Sequence, residues 1–249
     1  MSLRWADLLL PDWPAPANVR ACVTTRAGGV SVAPFDSFNL GDHVEDDPVA
    51  VAENRRRLQA LLGCRAAWLQ QVHGAAVVEA DPTTLAVADA SWSSTPSVAC
   101  AIMTADCLPV LFCDRAGRRV AAAHAGWRSL AGGVLEASAA ALDCPAEQVL
   151  VWLGPAIGPQ AFEVGAEVRE AFVARHAEAA AAFVPSVNPG RFMADLYQLA
   201  RIRLAAIGVM AVYGGGLCTF SDTERFYSYR RASRTGRLAS LIWLEPAQP

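Results

Sequence analysis

Residues 98–113 read Val98-Ala-Cys-Ala-Ile-Met-Thr-Ala-Asp-Cys-Leu-Pro-Val-Leu-Phe-Cys113. Two apolar runs, Val98–Met103 and Leu108–Cys113, flank a short polar break. Each run has the length of a strand rather than a helix. Neither alternates polar with apolar residues, so each needs cover on both faces and belongs in the middle of a sheet. Outward from this pair, similar runs predict strands at Val19–Thr24, Ala67–Val72, Ala75–Glu79, Arg119–Ala123, Val149–Leu153, Val209–Tyr213 and Leu238–Leu244.

Helical signals lie between some of these strands. Asp47-Pro48 reads as an N-cap followed by proline at the first helical position, with Gly63 as the stop. Ser129–Leu142, Gly165–Ala182 and Asp195–Ile207 carry apolar residues at helical spacing. Strands outnumber helices and do not alternate with them one for one. The reading is therefore an α+β protein, a mixed β-sheet sandwich flanked by helices. No repeat or linker divides the chain, so one domain is expected over residues 1–249. The stretch Asp81–Ser97 looks variable.

The composition excludes several classes. The 249 residues are 53% hydrophobic and 18% charged, which rules out intrinsic disorder. No apolar run reaches the length of a membrane span. A net charge of −3 argues against nucleic acid as a partner. All 21 basic residues are arginine, so lysine Schiff-base and P-loop chemistry are excluded. Seven scattered cysteines without a CxxC pair, behind an N-terminus that lacks the build of an export signal, predict reduced thiols and a cytoplasmic location.

Three segments could carry chemistry. Leu69-Gln-Gln-Val-His73-Gly74 ends a strand with a histidine. Thr104-Ala-Asp106-Cys107-Leu-Pro109 places a carboxylate beside a thiol in the turn between the two central strands. Val120-Ala-Ala-Ala-His124-Ala-Gly126-Trp127-Arg128 runs a small-residue strand into a histidine, then a glycine, then a helix. Singly, each has a bland reading: a bonded loop histidine, a small buried thiol, an arginine paired with a carboxylate. Together they offer His73, Cys107 and His124 as a set that would converge through the fold. Such a His₂Cys set suits a catalytic zinc or a copper ion with one open position. A cation held there would bring the pKa of its water toward neutrality. Arg128, near a helix start, could hold a phosphate or carboxylate. Phe226-Tyr-Ser-Tyr229-Arg230-Arg231 and Thr235-Gly-Arg237 interleave aromatics with arginine, a pattern that can stack on a flat base and hold an anion.

The motifs Gln-Val-His73-Gly, Thr-Ala-Asp-Cys107-Leu-Pro-Val, Ala-His124-Ala-Gly-Trp-Arg128, Leu-Gly-Pro-Ala-Ile-Gly-Pro and Phe-Tyr-Ser-Tyr-Arg-Arg occur in this order. In combination they resemble the purine nucleoside phosphorylase/laccase-domain family, also catalogued as multicopper polyphenol oxidase or peptidoglycan editing factor. The resemblance runs from about Thr24 to the end. It departs after Gly158-Pro159, where many members carry cysteine and this chain has Gln160-Ala161.

The resemblance implies a fold akin to cysteine-hydrolase-like toxin domains and a metal, usually zinc, on His73, Cys107 and His124. It implies phosphorolysis of adenosine, inosine and methylthioadenosine, and deamination of adenosine. The partners would then be a purine nucleoside and phosphate. On that basis Arg128, with Arg26, is assigned to phosphate. Asp106 is assigned to supplying or orienting a proton at the purine, and Asn39 with Tyr227 or Tyr229 to ribose or base contacts.

Three alternatives remain open at this stage. A cysteine hydrolase would use Cys107 as nucleophile and His124 or His73 as base on an amide of a cell-wall precursor. A copper phenol oxidase is disfavoured, because only four histidines exist and a trinuclear cluster needs more. A metabolite sensor would bind without turnover.

Overall fold

The computed structural model describes residues 3–246. Residues 1–2 and 247–249, the two ends of the expected domain, lie outside the described residues. The N-terminal strands are β1 (Leu8–Leu9), β2 (Val19–Thr24), β3 (Arg65–Ala67), β4 (Leu69–Gln70), β5 (Val77–Glu79), β6 (Ala86–Val87) and β7 (Ala90–Ser93). The middle of the chain supplies β8 (Val98–Thr104), β9 (Leu108–Asp114), β10 (Val120–Ala125) and β11 (Val149–Leu153). The rest are β12 (Glu163–Gly165), β13 (Phe183–Pro185), β14 (Arg191–Ala194), β15 (Val212–Gly214) and β16 (Leu238–Leu244). The helices are α1 (Pro48–Leu62), α2 (Trp127–Gly132), α3 (Val134–Ala141), α4 (Ala166–Val173) and α5 (Leu196–Ala206).

Two mixed sheets dominate. One has the order β1-β2-β16-β8-β3 and the other β15-β11-β9-β10-β7-β5. The run quoted at the outset supplies a central strand to each, β8 to the first and β9 to the second. Their alternation sets the layers. Cys100 and Ile102 of β8 pack with Leu111 and Cys113 of β9, Val23 and Ile242 in the space between the sheets. Ala99 and Ala101 turn the other way, into a core with Leu58 of α1. Val110 and Phe112 turn away from the sandwich into a core with Val134 of α3, Val168 of α4 and Leu199 of α5. The result is a sandwich of two sheets with helices on both outer faces, so strands apolar on both sides are what the layers require. Full burial of a side chain such as Ile102 contributes about 1.5–3 kcal/mol.

The helix signals hold at their caps. The Asp47 side chain accepts from the Val49 amide, proline follows it, and Gly63 closes α1 in a left-handed conformation at φ 67°. Asp195 accepts from the amides of Tyr197 and Gln198 at the start of α5. Interiors differ more. The helix expected over Ser129–Leu142 is two, α2 and α3, because Gly133 turns the chain at φ 103°. The helix expected over Gly165–Ala182 ends at Val173, and Ala177–Ala182 forms a separate 3-10 segment. The single strand expected over Ala67–Val72 is the pair β3 and β4, which join different sheets.

The stretch Asp81–Ser97 is not peripheral. It contains β7, which lies inside the second sheet between β10 and β5. Its sequence Ala-Ser-Trp-Ser lacks the aliphatic run that marks a buried strand. No helix among the described residues is long and apolar enough to cross a membrane.

Candidate functional site

Two loops and a strand end meet at one end of the sandwich. The loop after β4 carries His73, the β8–β9 turn carries Cys107, and the end of β10 carries His124. Antiparallel pairing of β9 with β10 sets His124 opposite Pro109. That register brings the last turn of β10 level with Cys107. The nearest ligand atoms of His73, Cys107 and His124 all lie within 4.8 Å of one another. Cys107 Sγ is 4.0 Å from His73 Nε2, and the two imidazoles sit edge to face with centroids 4.7 Å apart. The expected convergence is thus a property of the fold.

Asp89, just before β7, ties the histidines together. Its Oδ1 lies 2.8 Å from His124 Nδ1. The same carboxylate accepts backbone N–H bonds from Val72 at 3.1 Å, His73 at 2.9 Å and Gly74 at 2.6 Å. His73 sits at φ 60°, a left-handed conformation that those bonds sustain. Asp89 is fully buried. Burial pushes its carboxyl pKa up, but the bond to His124 and the three amides outweigh this and the net shift is downward. A carboxylate on Nδ1 makes that nitrogen the donor and leaves Nε2 of His124 as a lone pair toward Cys107 and His73.

Asp106 performs a comparable task for Cys107. It adopts φ 90°, and its Oδ1 accepts from the Thr219 hydroxyl at 2.6 Å. Its Oδ2 accepts from the Arg230 amide at 2.6 Å, and its carbonyl from the Ile157 amide at 2.9 Å. Burial alone would raise the Cys107 thiol pKa; the adjoining His124 and His73 outweigh it, and the thiol is shifted down. His124 shifts the other way: burial disfavours its charge, but Cys107 and Asp89 overcome this and raise it. The two opposite shifts share one cause, the close approach of the thiol and the imidazole.

The donor set fits a cation. One thiolate and two imidazole nitrogens with a carboxylate behind one histidine is the arrangement of zinc and copper sites. Ligand atoms within 4.8 Å of one another are close enough to share one cation after a small contraction. His124 is buried, Cys107 half-buried and His73 exposed, so an open coordination position would face outward.

It faces a cleft of about 830 Å³, a size typical of small-molecule sites. Leu69, Leu85, Met103, Ile157 and Phe162 give it apolar walls, and Asp42, His43, Gln71, Tyr229, Arg230 and Arg237 add polar groups. Gln71 is committed to the fold, donating to the Met103 carbonyl and accepting from the Met103 amide, both at 2.8 Å.

Of the other expected residues, Asp106 and Tyr229 line this cleft, whereas Arg128, Arg26, Asn39 and Tyr227 are not among its lining residues. Arg128 is exposed in the first turn of α2 and lies over the Trp127 ring at 4.4 Å. Arg26 is spent on the Asp36 carboxylate and carbonyl and on the Thr223 carbonyl, with its guanidinium 5.1 Å above the Tyr227 ring. Tyr227 is fully buried and donates to the Phe35 carbonyl at 2.6 Å. Asn39 is fully buried, donating to the Gly41 carbonyl and to Asp46 and accepting from the amides of Gly41 and Arg237. Asp106 lines the cleft, but both carboxylate oxygens already accept hydrogen bonds. Sequence reasoning missed Asp89; a carboxylate flanked by Ala88 and Ala90 was its one signal. It placed Arg237 in a pattern able to hold an anion, without singling it out from the neighbouring arginines.

Comparisons with known proteins agree with one another. A family model described as multi-copper polyphenol oxidoreductase laccase matches residues 20–245. A purine nucleoside phosphorylase of Pseudomonas aeruginosa is 74% identical over 237 residues, covering 95% of this chain and 98% of its own length. The purine nucleoside phosphorylase YfiH of Escherichia coli is 55% identical over 243 residues, covering 96% and 99%. Among solved structures, a Neisseria meningitidis protein superposes with a TM-score of 0.94 at 53% identity, covering 96% of this chain and 100% of that one. YlmD from Geobacillus stearothermophilus superposes with a TM-score of 0.87 at 29% identity, covering 98% of each chain.

Proposed function

The chain belongs to the multi-copper polyphenol oxidoreductase laccase family, and from that membership and the cleft's geometry we propose that it is a metal-dependent purine nucleoside phosphorylase. The supporting observation is the meeting of His73, Cys107 and His124 at the floor of a cleft sized for a nucleoside. Relatives that match nearly the whole chain bear the name purine nucleoside phosphorylase. Adenosine, inosine and methylthioadenosine are the proposed nucleosides, with adenosine deamination as a second reaction. A single domain with a cysteine-hydrolase-like toxin fold belongs to the same proposal.

His73, Cys107 and His124 are the residues that would hold the cation, zinc by preference and copper as the alternative. Once bound, the cation supplies Lewis acidity beside the reacting centre. The chain's own residues do the rest. Asp89 holds His124 in the tautomer that exposes Nε2 and fixes the His73 loop. Asp106 acts through position, locking the turn that presents Cys107. Phe162, Ile157 and Leu85 offer flat apolar surface to a purine and exclude water from it. Multicopper oxidation of phenols fits less well, because among the described residues the ligand cluster holds two histidines, His73 and His124, fewer than a trinuclear copper centre needs.

The test is direct. Protein purified without added metal should carry about one zinc per chain. It should convert inosine and phosphate to hypoxanthine and ribose 1-phosphate. Cys107→Ala should lose both properties. Wild-type protein that leaves every nucleoside intact in phosphate, while hydrolysing an amide without metal, would overturn the reading in favour of a cysteine hydrolase.

A further inference from the structure

Outside the His–Cys–His cluster, the cationic or potentially cationic side chains among the described residues lining the cleft are His43, Arg230 and Arg237. They are not equivalent. Arg230 is exposed, lies over the Phe162 ring at 5.6 Å and donates from Nη1 to the Glu163 carbonyl at 3.0 Å. His43 is held toward its neutral form, by burial first and then by the charge of Arg237, against the pull of Asp42.

Arg237 is half-buried, and its side chain is fixed at both ends. Its backbone amide donates to Asn39 Oδ1 at 2.8 Å, and its carbonyl accepts from the Leu40 amide at 3.2 Å. Its stem lies flat on Gly41, where a Cβ would come within 2.7 Å of Arg237 Cγ. Nη1 donates to the carbonyls of Thr235 at 2.9 Å and Gly236 at 3.1 Å. Nε and Nη2 meet no acceptor, and no carboxylate pairs with this guanidinium within 4.0 Å, among the described residues. Its head lies 5.9 Å from the centre of the Tyr229 ring and lines the same cleft as Cys107, Asp106 and the two clustered histidines. A pinned, partly desolvated guanidinium with two open donors is half of a bidentate pair.

We propose that Arg237 holds the phosphate oxyanion in this cleft, the co-substrate for the phosphorolysis argued above, on which this assignment rests. In that reaction a phosphate oxygen bonds to C1′ of the ribose as the C1′–N9 bond breaks. The electron pair of the broken bond stays on the purine. The purine takes up the proton that hydrogen phosphate gives up, and ribose 1-phosphate and free base leave. Arg237 contributes charge and aim: its planar edge grips two phosphate oxygens and keeps a third free for C1′. Because the side chain is held before phosphate arrives, little rotamer freedom is lost on binding. Asn39 thereby becomes a positioning residue acting through the Arg237 backbone, and the open edge of Arg237 takes the role first assigned to Arg128 and Arg26.

The experiment uses the metal-loaded full chain as wild type, Arg237→Met, Arg237→Lys and the exposed control Arg234→Met. Inorganic phosphate binding is read by titration calorimetry, and KM is measured separately for phosphate and inosine. Arg237→Met should weaken phosphate binding and raise its KM by about tenfold or more, with the KM for inosine changing less than about threefold. Arg237→Lys, which keeps the charge and most of the stem, should recover part of the loss and gives the answer if the methionine variant does not fold. Arg234→Met should match wild type. Unchanged phosphate affinity in both Arg237 variants overturns the assignment. So does a nucleoside 5′-monophosphate that binds through Arg237 while free phosphate does not. Arg237-dependent phosphate binding without ribose 1-phosphate formation would leave the anion site standing and overturn the phosphorolysis reading. A wild type that shows neither overturns both.

Discussion

Asp89 Oδ1 lies 2.8 Å from Nδ1 of His124, while the same carboxylate receives the backbone N–H of His73 at 2.9 Å. One buried side chain thus sets the tautomer of one prospective ligand and the backbone of another. Asp89→Asn keeps the shape but exchanges one charged acceptor oxygen for an amide that donates. The three amides of Val72, His73 and Gly74 then face a weaker or mismatched partner. Zinc affinity should fall about 10–100-fold, the usual effect of losing such a support, read by competition with a chromophoric chelator. An unchanged affinity would mean that the loop and tautomer are fixed without it.

Gly126 lies against the cluster, and a larger residue there would have to push ligand side chains aside. A Cβ would come within 2.9 Å of His73 Cδ2 and 3.0 Å of Cys107 Sγ. Gly126 itself is the N-cap of α2 at φ −58°, which any residue can adopt, so alanine brings no backbone strain. Gly126→Ala should therefore keep the circular dichroism spectrum and lose most metal binding and turnover. A variant that binds zinc like wild type would show that His73 and Cys107 can spread without cost.

The layered core was legible because β8 and β9 are apolar on both faces, and a two-sided strand has one stable place. His73, Cys107 and His124 were legible because each follows or ends an apolar run, where strand ends gather. Asp89 was not, since its strand is short and built from Ala and Ser, and a lone carboxylate carries no periodicity. Arg26 was misread for a related reason. With every basic residue an arginine, sequence cannot tell a guanidinium spent on Asp36 and Thr223 from one left open, as in Arg237. That distinction lives in tertiary hydrogen bonding alone.

The seven cysteines should separate by reactivity. Burial pushes the thiols of Cys22, Cys64, Cys100, Cys113 and Cys144 up. Cys107 and Cys218 are shifted down, the latter by hydrogen bonds from Ser221 and Gly158 that outweigh its burial. A brief pulse of iodoacetamide at pH 7 on metal-free protein should label Cys107 and Cys218 first, because the thiolate is the nucleophile. Added zinc should protect Cys107 and leave Cys218 labelled, as read by peptide mass spectrometry. Protection of neither would count against Cys107 as a ligand.

Acid stability should report on Asp114, at the end of β9. Its buried carboxylate accepts from the amides of Arg118 at 2.6 Å and Arg119 at 2.9 Å and from Arg118 Nε at 3.0 Å. Burial raises its pKa, but these bonds outweigh it and the net shift is downward. A group whose folded pKa is depressed stabilises the fold above its unfolded pKa of about 3.9, and the contribution fades as pH falls through the folded value. Asp114→Asn should therefore lower the melting temperature at pH 7 and flatten the loss of stability between about pH 5 and 2. Its metal content should stay at the wild-type level, because Asp114 lies at the opposite end of β9 from Cys107. Parallel acid limbs in variant and wild type would show that the turn's hydrogen bonds do not depend on the charge of this carboxylate.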